Sequence, residues 1–119
     1  MTLMKIEANE YLDNTGTSLK GCVATTYATL VKAFGEPTFL GESGDGKVTA
    51  EWSLEITDED GDTHVATIYD WKQYEDGTPY GQYEWHIGGH DYTAVERVLF
   101  EIEMHRDKLV KMVKGYANA

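Results

Sequence analysis

Alternation of apolar and polar residues over positions 48–56 is the feature that most constrains the fold. Every second residue from Val48 to Ile56 is apolar, and threonine, serine and glutamate lie between them. Because alternate side chains of a strand point to opposite faces, this segment predicts a β-strand with one buried face. An acidic turn at residues 58–62 contains an Asp-Gly step, and β-branched and aromatic residues resume at 65–71. Together these segments predict a β-hairpin.

Two other segments follow the helical period. Apolar residues at positions 27, 30, 31 and 34 predict a short amphipathic helix with Thr25 as its N-cap and Gly35 at its end. A longer helix is predicted after an N-cap at Asp91, and its apolar stripe comprises Val95, Val98, Leu99, Ile102, Leu109, Met112 and Val113. Further strands are predicted at 19–24 and 83–87. The chain is therefore predicted to be a single α+β domain over residues 1–119, an antiparallel β-sheet meander packed with one short and one long C-terminal α-helix.

Negative charge narrows the choice of partner. Among 119 residues, 21 acidic side chains stand against 10 basic ones, a formal charge of −11 at pH 7. Residues 36–91 alone hold 14 acidic and two basic residues. Because binding to phosphates requires Lys and Arg, direct binding to nucleic acid or to an anionic membrane is disfavoured. We expect a basic protein as the partner.

The N-terminal sequence and the single cysteine bear on location. No apolar run reaches the length of a membrane span, and the first residues lack the pattern of a signal peptide, so we expect a cytoplasmic protein. Cys22 has no partner for an internal disulfide or a CxxC zinc site. Its small apolar neighbours Val23 and Ala24 predict a buried, unreactive thiol.

Two segments partly match known binding motifs, but each lacks residues that the motif requires. Residues 41–47 have the G-x4-G-K spacing of a phosphate loop, but Val48 stands where Ser or Thr is required and a strand follows. The acidic turn does not match an EF-hand, since Ile56 and Thr67 would occupy the first and last ligand positions. A solvated turn with at most weak calcium affinity remains, and we predict neither a resident metal nor a cofactor.

The junction between the last strand and the long helix has the composition of a binding site. It contains His86, Gly88, Gly89, His90 and Asp91. Paired glycines allow a ligand to approach the backbone, and helix N-terminal amides attract anions. Two histidines would be two zinc ligands, but no third Cys or His is near them in sequence. A simple turn followed by a helix cap explains the same residues.

Four segments carry a resemblance to a known family: TYATLVKAFGEP at 26–37, AEW at 50–52, ATIYDWK at 66–72 and EWHIGG at 84–89. In order and spacing they resemble small proteins encoded by tailed bacteriophages, over about residues 19–100. The resemblance implies an accessory protein made in the cytoplasm of an infected bacterial host. Proteins of this kind often disable a defence system or a host enzyme by binding to it. No catalytic residue is carried over.

Three functions remain open at this point. The first is a non-enzymatic anti-defence or host-takeover inhibitor that mimics DNA and docks on a basic host protein through an acidic face, formed by Glu51, Glu55, Asp58, Glu59, Asp60 and Asp62. The second is a sponge for a nucleotide-type ligand, in a pocket lined by Trp71, Lys72, Trp85, His86, Gly88 and Gly89. The third is a small enzyme of unknown reaction, although no nucleophile and base can be paired.

The long helix also predicts assembly. Helix 92–114 would span about 34 Å at about 1.5 Å per residue, more than a strand of roughly five or six residues can cover. Its overhanging turns would expose the apolar side chains of Leu109, Met112, Val113 and Tyr116. We therefore expect a homodimer through this helix.

Overall fold

One antiparallel sheet of six strands, covered on one face by two helices, forms the protein, which confirms the α+β class. The computed structural model describes residues 5–9, 11–41, 47–72 and 77–117, and the side chains of the last helix as far as His105. The elements in chain order are β1 (Lys5–Ala8), β2 (Ser18–Thr25), α1 (Tyr27–Phe34), β3 (Phe39–Leu40), β4 (Ala50–Thr57), β5 (Thr63–Tyr69), β6 (Tyr83–Gly89) and α2 (Thr93–Ala117).

The predicted hairpin is the centre of the sheet. Strands β4 and β5 pair from Glu51 with Tyr69 to Thr57 with Thr63, and β6 continues the meander beside β5. The strand order is β1-β4-β5-β6-β2. Both β1 and β3 pair with β4, so these two short strands share one edge of the sheet. Strand β2 forms the opposite edge.

Alternation along the strands sends one set of side chains into the core. In β4 the predicted apolar positions from Ala50 to Ile56 are fully buried, and β5 and β6 add their own alternate residues. Helix α1 contributes Leu30 and Phe34, and α2 contributes Ala94, Val98 and Ile102. Each fully buried leucine, isoleucine or valine side chain of this core stabilises the fold by roughly 1.5–3 kcal/mol, and each alanine by less.

Helix α1 begins one residue later than predicted. Thr26 is the N-cap, and its hydroxyl accepts a hydrogen bond of 3.2 Å from the amide of Thr29. The prediction of Thr25 is wrong because Thr25 pairs with Tyr83 as the last residue of β2. Gly35 ends the helix as predicted, with φ of 85° and its amide bonded to the carbonyl of Val31.

Helix α2 starts at Thr93, whose amide donates a 3.0 Å hydrogen bond to the carboxylate of Asp91. Of the predicted stripe, Val98 and Ile102 are buried, whereas Leu99 is 39% exposed. The side chains of Leu109, Met112, Val113 and Tyr116 lie outside the described part of the chain, so the dimer through them stays a prediction. In the part of the chain that is described, neither helix combines the length and the apolar character needed to cross a bilayer.

Candidate functional site

We call the face of the sheet opposite the helices the open face. The polar residues that alternate with the apolar core residues of β4 lie on it. In β4 it presents Glu51, Ser53 and Glu55, and in β5 it presents Val65, Thr67 and Tyr69. Register with β6 and β2 places His86, Gly88 and Cys22 on the same face. No helix covers these side chains in the described chain, but Ser53 and Thr67 are buried, so a ligand has access to only part of the open face.

A loop crosses part of the open face and creates a cleft. The Asn14 side-chain amide donates a 3.0 Å hydrogen bond to the hydroxyl of Ser53, and the hydroxyl of Thr17 donates to the carbonyl of Asn14 at 2.8 Å. These bonds fix the loop above β4. The cleft between them has a volume of about 230 Å³ and is lined by Asn14, Thr17, Ser18, Val48, Glu51, Thr67, Tyr69, Trp71 and Gly88.

Gly88 gives the cleft its depth. A Cβ atom at this position would lie 2.5 Å from the hydroxyl oxygen of Thr67 and 3.5 Å from the carbonyl oxygen of Ser18. The first distance is far inside van der Waals contact, so any side chain at 88 would displace Thr67 and fill the floor of the cleft. Glycine is required here for space, not for an unusual backbone angle.

Three rings form what we call the aromatic wall: Tyr69, Trp71 and His86. The ring of Trp71 stacks on that of His86 with centroids 6.3 Å apart and planes 26° apart. Tyr69 approaches both rings edge-on, at 5.5 Å from His86 and 6.2 Å from Trp71. Trp71 is 37% exposed, so part of its ring remains accessible to a ligand.

Both basic residues of the acidic segment meet at this wall. Lys47 and Lys72 are the two lysines among residues 36–91, and that segment contains no arginine. Their Nζ atoms lie 5.7 Å and 5.8 Å from the centroid of the Trp71 ring. The amide of Lys72 donates a 2.7 Å hydrogen bond to the carbonyl of Lys47, which ties the two lysines together. The scarce positive charge of this segment is therefore concentrated at the mouth of the cleft.

Lys72 also has an unusual backbone. Its φ of 55° lies in the left-handed region, and it is the one such residue other than glycine among those described. A lysine in this region stores conformational strain, which tends to occur where structure serves binding.

Glu51 supplies an unusual carboxyl group to the cleft. Burial on the open face raises the pKa of Glu51 above its ordinary value. Burial also raises the pKa of the Tyr69 phenol, and the negative charge of Glu51 raises it further. Glu51 therefore takes up a proton more readily than a surface glutamate, and in that form it can donate a hydrogen bond.

Asn14 contributes an acceptor that the protein leaves unused. Its Oδ1 atom is buried and has no hydrogen-bond partner among the described residues. Buried acceptors are normally satisfied, because an unsatisfied one costs about 1–3 kcal/mol. Asn14 is also one of the residues that line the cleft.

Residues of the predicted nucleotide pocket fall on two sides of the sheet. Trp71, Lys72, His86 and Gly88 lie at or beside the cleft. Trp85 is fully buried in the core on the helix side, with its ring 5.5 Å from that of Trp52. Gly89 also faces the helices, since a Cβ atom there would lie 2.6 Å from Cβ of Ala94. Because side chains alternate between the two faces along β6, residues that are adjacent in sequence lie on opposite sides of the sheet.

Sequence reasoning missed the polar lining of the cleft. Asn14 belongs to a segment that shows only a turn, and Thr67 is an ordinary strand residue. The pairing of Ser53 with Thr67 and of Thr67 with Gly88 brings them together. The alternation of polar and apolar residues in β4 could have indicated part of this lining, because residues at an even spacing from Glu51 lie on the same face of the strand.

The acidic residues proposed as one face occupy two places. Glu51 lies in the cleft, and Glu55 lies on the open face opposite Glu7 of β1. The others occupy the β4–β5 turn. There the carboxylate of Asp58 accepts 2.9 Å hydrogen bonds from the amides of Asp60 and Asp62 and lies 2.9 Å from Nε2 of His64. The hydrogen bond with His64 is the main cause that lowers the pKa of Asp58.

Metal ligation finds little support in the described part of the chain. The carboxylates of Asp58, Asp60 and Asp62 are the group there whose oxygens lie within 4.8 Å of one another. None of the three is buried, and Asp58 is already engaged by His64 and two amides. Among the residues that the structure describes, His86 and His90 belong to no such group, and His90 lies beside Gly16 at the surface.

Cys22 differs from its prediction. It is exposed, so the expected burial is wrong, because the alternation of β2 turns it toward the open face beside His86. Partial desolvation, followed by the negative charge of Glu84, raises the pKa of the thiol. A neutral thiol is a poor nucleophile, so the pairing of Cys22 with His86 gives no support to catalysis.

Comparison with known proteins finds no relative of this chain. No family model matches it, and neither a curated protein nor a solved structure is similar to it.

Proposed function

We propose that the protein binds a small anionic ligand with a planar ring, of the nucleotide type, in the cleft of the open face. The observation that carries this proposal is the convergence of Lys47 and Lys72 on Trp71. In a segment with 14 acidic residues, both lysines lie at one exposed ring. That arrangement favours an anionic group held next to a stacked ring.

The size and the walls of the cleft suit the ring of such a ligand. A volume of about 230 Å³ is below the roughly 300–1,000 Å³ of pockets that enclose drug-sized molecules. A single base or ring system fits inside, while its anionic substituent stays outside near the lysines. Stacking on an aromatic side chain contributes about 1–3 kcal/mol per base.

Polar groups of the cleft would recognise the hydrogen-bonding groups on the edge of the ligand's ring. The free Oδ1 of Asn14 accepts from an N–H group, and the carboxyl of Glu51, when protonated, donates to a ring acceptor. A ligand that offers a donor next to an acceptor satisfies both. Nucleobases carry this pattern on their edges.

Calorimetry with nucleoside 5′-monophosphates and the matching nucleosides tests the proposal. We expect binding of at least one monophosphate, and a loss of about 10-fold or more in affinity for Trp71→Ala because stacking is removed. Lys72→Gln should weaken binding of the monophosphate and leave that of the nucleoside unchanged. Tyr11→Ala is the control, since Tyr11 is 88% exposed in the loop outside the cleft lining. Failure of every compound to bind would contradict the proposal.

Filling the floor of the cleft provides a second test. Gly88→Ala places a methyl group against Thr67 and should abolish binding while the protein remains folded. Gly81→Ala is the matched control, because a Cβ atom at Gly81 meets nothing within 4 Å. Equal binding by the two variants would show that the ligand does not enter this cleft.

A second candidate function is docking on a basic protein, as a DNA mimic of the anti-defence or host-takeover kind. The specific observation in its favour is that Glu55 lies directly opposite Glu7, where a 2.9 Å salt bridge from Lys5 to Glu7 offsets only part of the repulsion between the two like charges. Exposed Glu59, Asp60 and Asp62 extend the negative surface to the turn. The bacteriophage origin and the location in an infected host stay predictions.

A pull-down from infected cells tests this second function. A triple variant that changes Glu59, Asp60 and Asp62 to lysine should lose a basic partner, and wild-type binding should weaken as salt rises. Trp71→Ala serves as the control, because it alters the cleft and leaves the turn intact. Capture that is unchanged by charge reversal and by salt would exclude the mimic.

A further inference from the structure

Strand β2 forms one edge of the sheet, and no other described strand covers it. It is eight residues long and contains no proline, and among the described strands none pairs with its outer side. Its one charged residue, Lys20, lies at the bulge between Leu19 and Gly21. The opposite edge is divided between β1, with four residues, and β3, with two. Unpaired amides and carbonyls along such a strand are a template for another strand.

An apolar groove runs beside this edge, between β2 and α2. Its volume is about 540 Å³, and its apolar lining includes Val23, Leu99, Phe100 and Ile102. Phe100 is 56% exposed and Leu99 39%, and Met104 adds another exposed apolar side chain on the same helix. Exposed apolar surface next to a free strand edge is typical of a protein interface.

We propose that a second copy of the chain occupies this edge, with β2 antiparallel to β2 of the other copy and α2 packed beside it. The proposal is independent of the ligand cleft. It also differs from a dimer through the C-terminal turns of the long helix, because the contact lies on β2 and on the first half of α2.

The distribution of charge argues for a second copy as the occupant. Residues 36–91, which carry 14 of the 21 acidic residues, form β3 to β6, whereas β2 and α2 lie outside that segment. With β2 strands joined, the two β4 strands are seven strand spacings apart, about 34 Å at about 4.8 Å each. That distance is several times the Debye length of about 8 Å at physiological salt. Repulsion between two acidic chains is therefore smallest when they meet at this edge.

Charge at the groove itself is complementary in the antiparallel arrangement. Glu96 and Glu103 line the groove together with Ala24 and Thr25 at the C-terminal end of β2. Antiparallel pairing brings the N-terminal half of the second copy's β2, with its Lys20, to that end. Each copy thus presents its one β2 cation to the acidic rim of the other, in a twofold and self-complementary contact.

Light scattering after size exclusion at low micromolar concentration tests the assembly. We expect a mass twice the 13.4 kDa of one chain. Phe100→Glu and Lys20→Glu should each shift the mass toward that of a monomer, and adding Glu103→Lys to Lys20→Glu should restore the dimer. Tyr11→Glu, at an exposed residue next to the opposite edge, is the control that should remain dimeric.

The single cysteine gives an independent readout. Cys22 is exposed and near the middle of β2, so a short bismaleimide should link two copies of the wild type and far fewer copies of Phe100→Glu, and Cys22→Ser should confirm that the link forms through this thiol. A wild-type mass of one chain would overturn the proposal. A dimer that Phe100→Glu and Lys20→Glu leave intact would overturn it as well, because another surface would then hold the copies together.

Discussion

Glu51 shows at the scale of one residue how the fold changes a side chain's chemistry. Its pKa is raised by burial, so the native state binds a proton more tightly than the unfolded chain does. Stability from this group is therefore present below the ordinary glutamate pKa and is lost as the pH rises through the raised value. At neutral pH the ionised carboxylate of Glu51 therefore lowers the stability of the native state. Binding sites often keep such destabilising groups.

Glu51→Gln should therefore stabilise the protein at pH 7. We expect a higher midpoint of thermal unfolding than in the wild type, with the difference disappearing as the pH falls below the ordinary glutamate pKa, where the wild-type carboxyl becomes protonated in both states. Glu59→Gln is the matched control, since it removes the same charge from an exposed turn. An equal gain from both variants would mean that net charge, not burial, causes the effect.

Asp70 is a buried carboxylate with a structural role. It is fully buried at the end of β5 and accepts hydrogen bonds from the amides of Thr49 and Ala50, at 2.7 Å and 3.0 Å, and from the hydroxyl of Thr49. The hydroxyl of Thr78 bonds to that of Thr49 at 2.9 Å, which ties the following loop to the same point. This network fixes the start of β4 next to the cleft.

Asp70→Ala should lower the free energy of unfolding by about 3 kcal/mol, because it leaves buried amides without an acceptor. Asp70→Asn should cost less, since one oxygen remains. Urea unfolding measures both, and Asp60→Ala in the exposed turn is the control expected to change stability little. A loss for Asp70→Ala as small as that control would contradict the assigned role.

At the scale of elements, β6 divides its functions between two faces. His86 and Gly88 face the cleft, whereas Trp85, Ile87 and Gly89 face the helices. The two adjacent glycines are thus needed for different reasons. One leaves room for the cleft, and the other lets α2 approach the sheet.

Gly89→Ala should destabilise the protein more than Gly88→Ala does. A Cβ atom at 89 would lie 2.6 Å from Cβ of Ala94, and the backbone of α2 would have to move, at a cost of about 1–3 kcal/mol. At 88 the contact is the hydroxyl of Thr67, which can rotate away. Chemical unfolding of both variants, with Gly81→Ala as a neutral reference, checks the order. The reverse order would show that α2 is not held by this contact.

Elements differ in how far the sequence predicts them. The hairpin and both helices have clear periods, and each is found where the period predicts it. Strands β1 and β3 were not predicted, because four and two residues are too few to show a period. They exist because β4 offers an edge for them to pair with. The same holds for the cap of α1, which moved from Thr25 to Thr26 because β2 pairs as far as Thr25.

The whole molecule is a sheet whose acidic residues are concentrated in the central strands and the segments that connect them. Residues 36–91 carry 14 acidic and two basic residues, and they form the strands from β3 to β6. Repulsion among these charges opposes the compact state and is screened by salt. The fold tolerates this cost because the apolar core lies on the other face of the sheet.

Added salt should therefore stabilise the protein. Between about 0.01 M and 0.15 M sodium chloride, the Debye length falls from about 30 Å to about 8 Å, and we expect the midpoint of thermal unfolding to rise. A variant with Glu59, Asp60 and Asp62 changed to lysine should show a smaller rise. A midpoint that is insensitive to salt in the wild type would contradict the view that this segment is under charge repulsion.

The sequence by itself determined the α+β class, the central hairpin, the two helices and the acidic character of the segment between them. These follow from local periods of two and 3.6 residues and from composition, which act over short stretches of chain. Trp71, Lys72, His86 and Gly88 were also found as candidates, because aromatic, basic and glycine residues near a strand end are recognisable in sequence.

Tertiary structure alone decided which of these residues share a site. Lys47 meets Lys72 through a backbone hydrogen bond across 25 positions, and Asn14 reaches Ser53 across 39. Trp85 and Gly89 were assigned to the same pocket, but alternation sends them to the helix side. Strand pairing also left β2 at an open edge and exposed Cys22. Such contacts depend on register between distant segments, and the energy that fixes register comes from burying one face of the whole sheet.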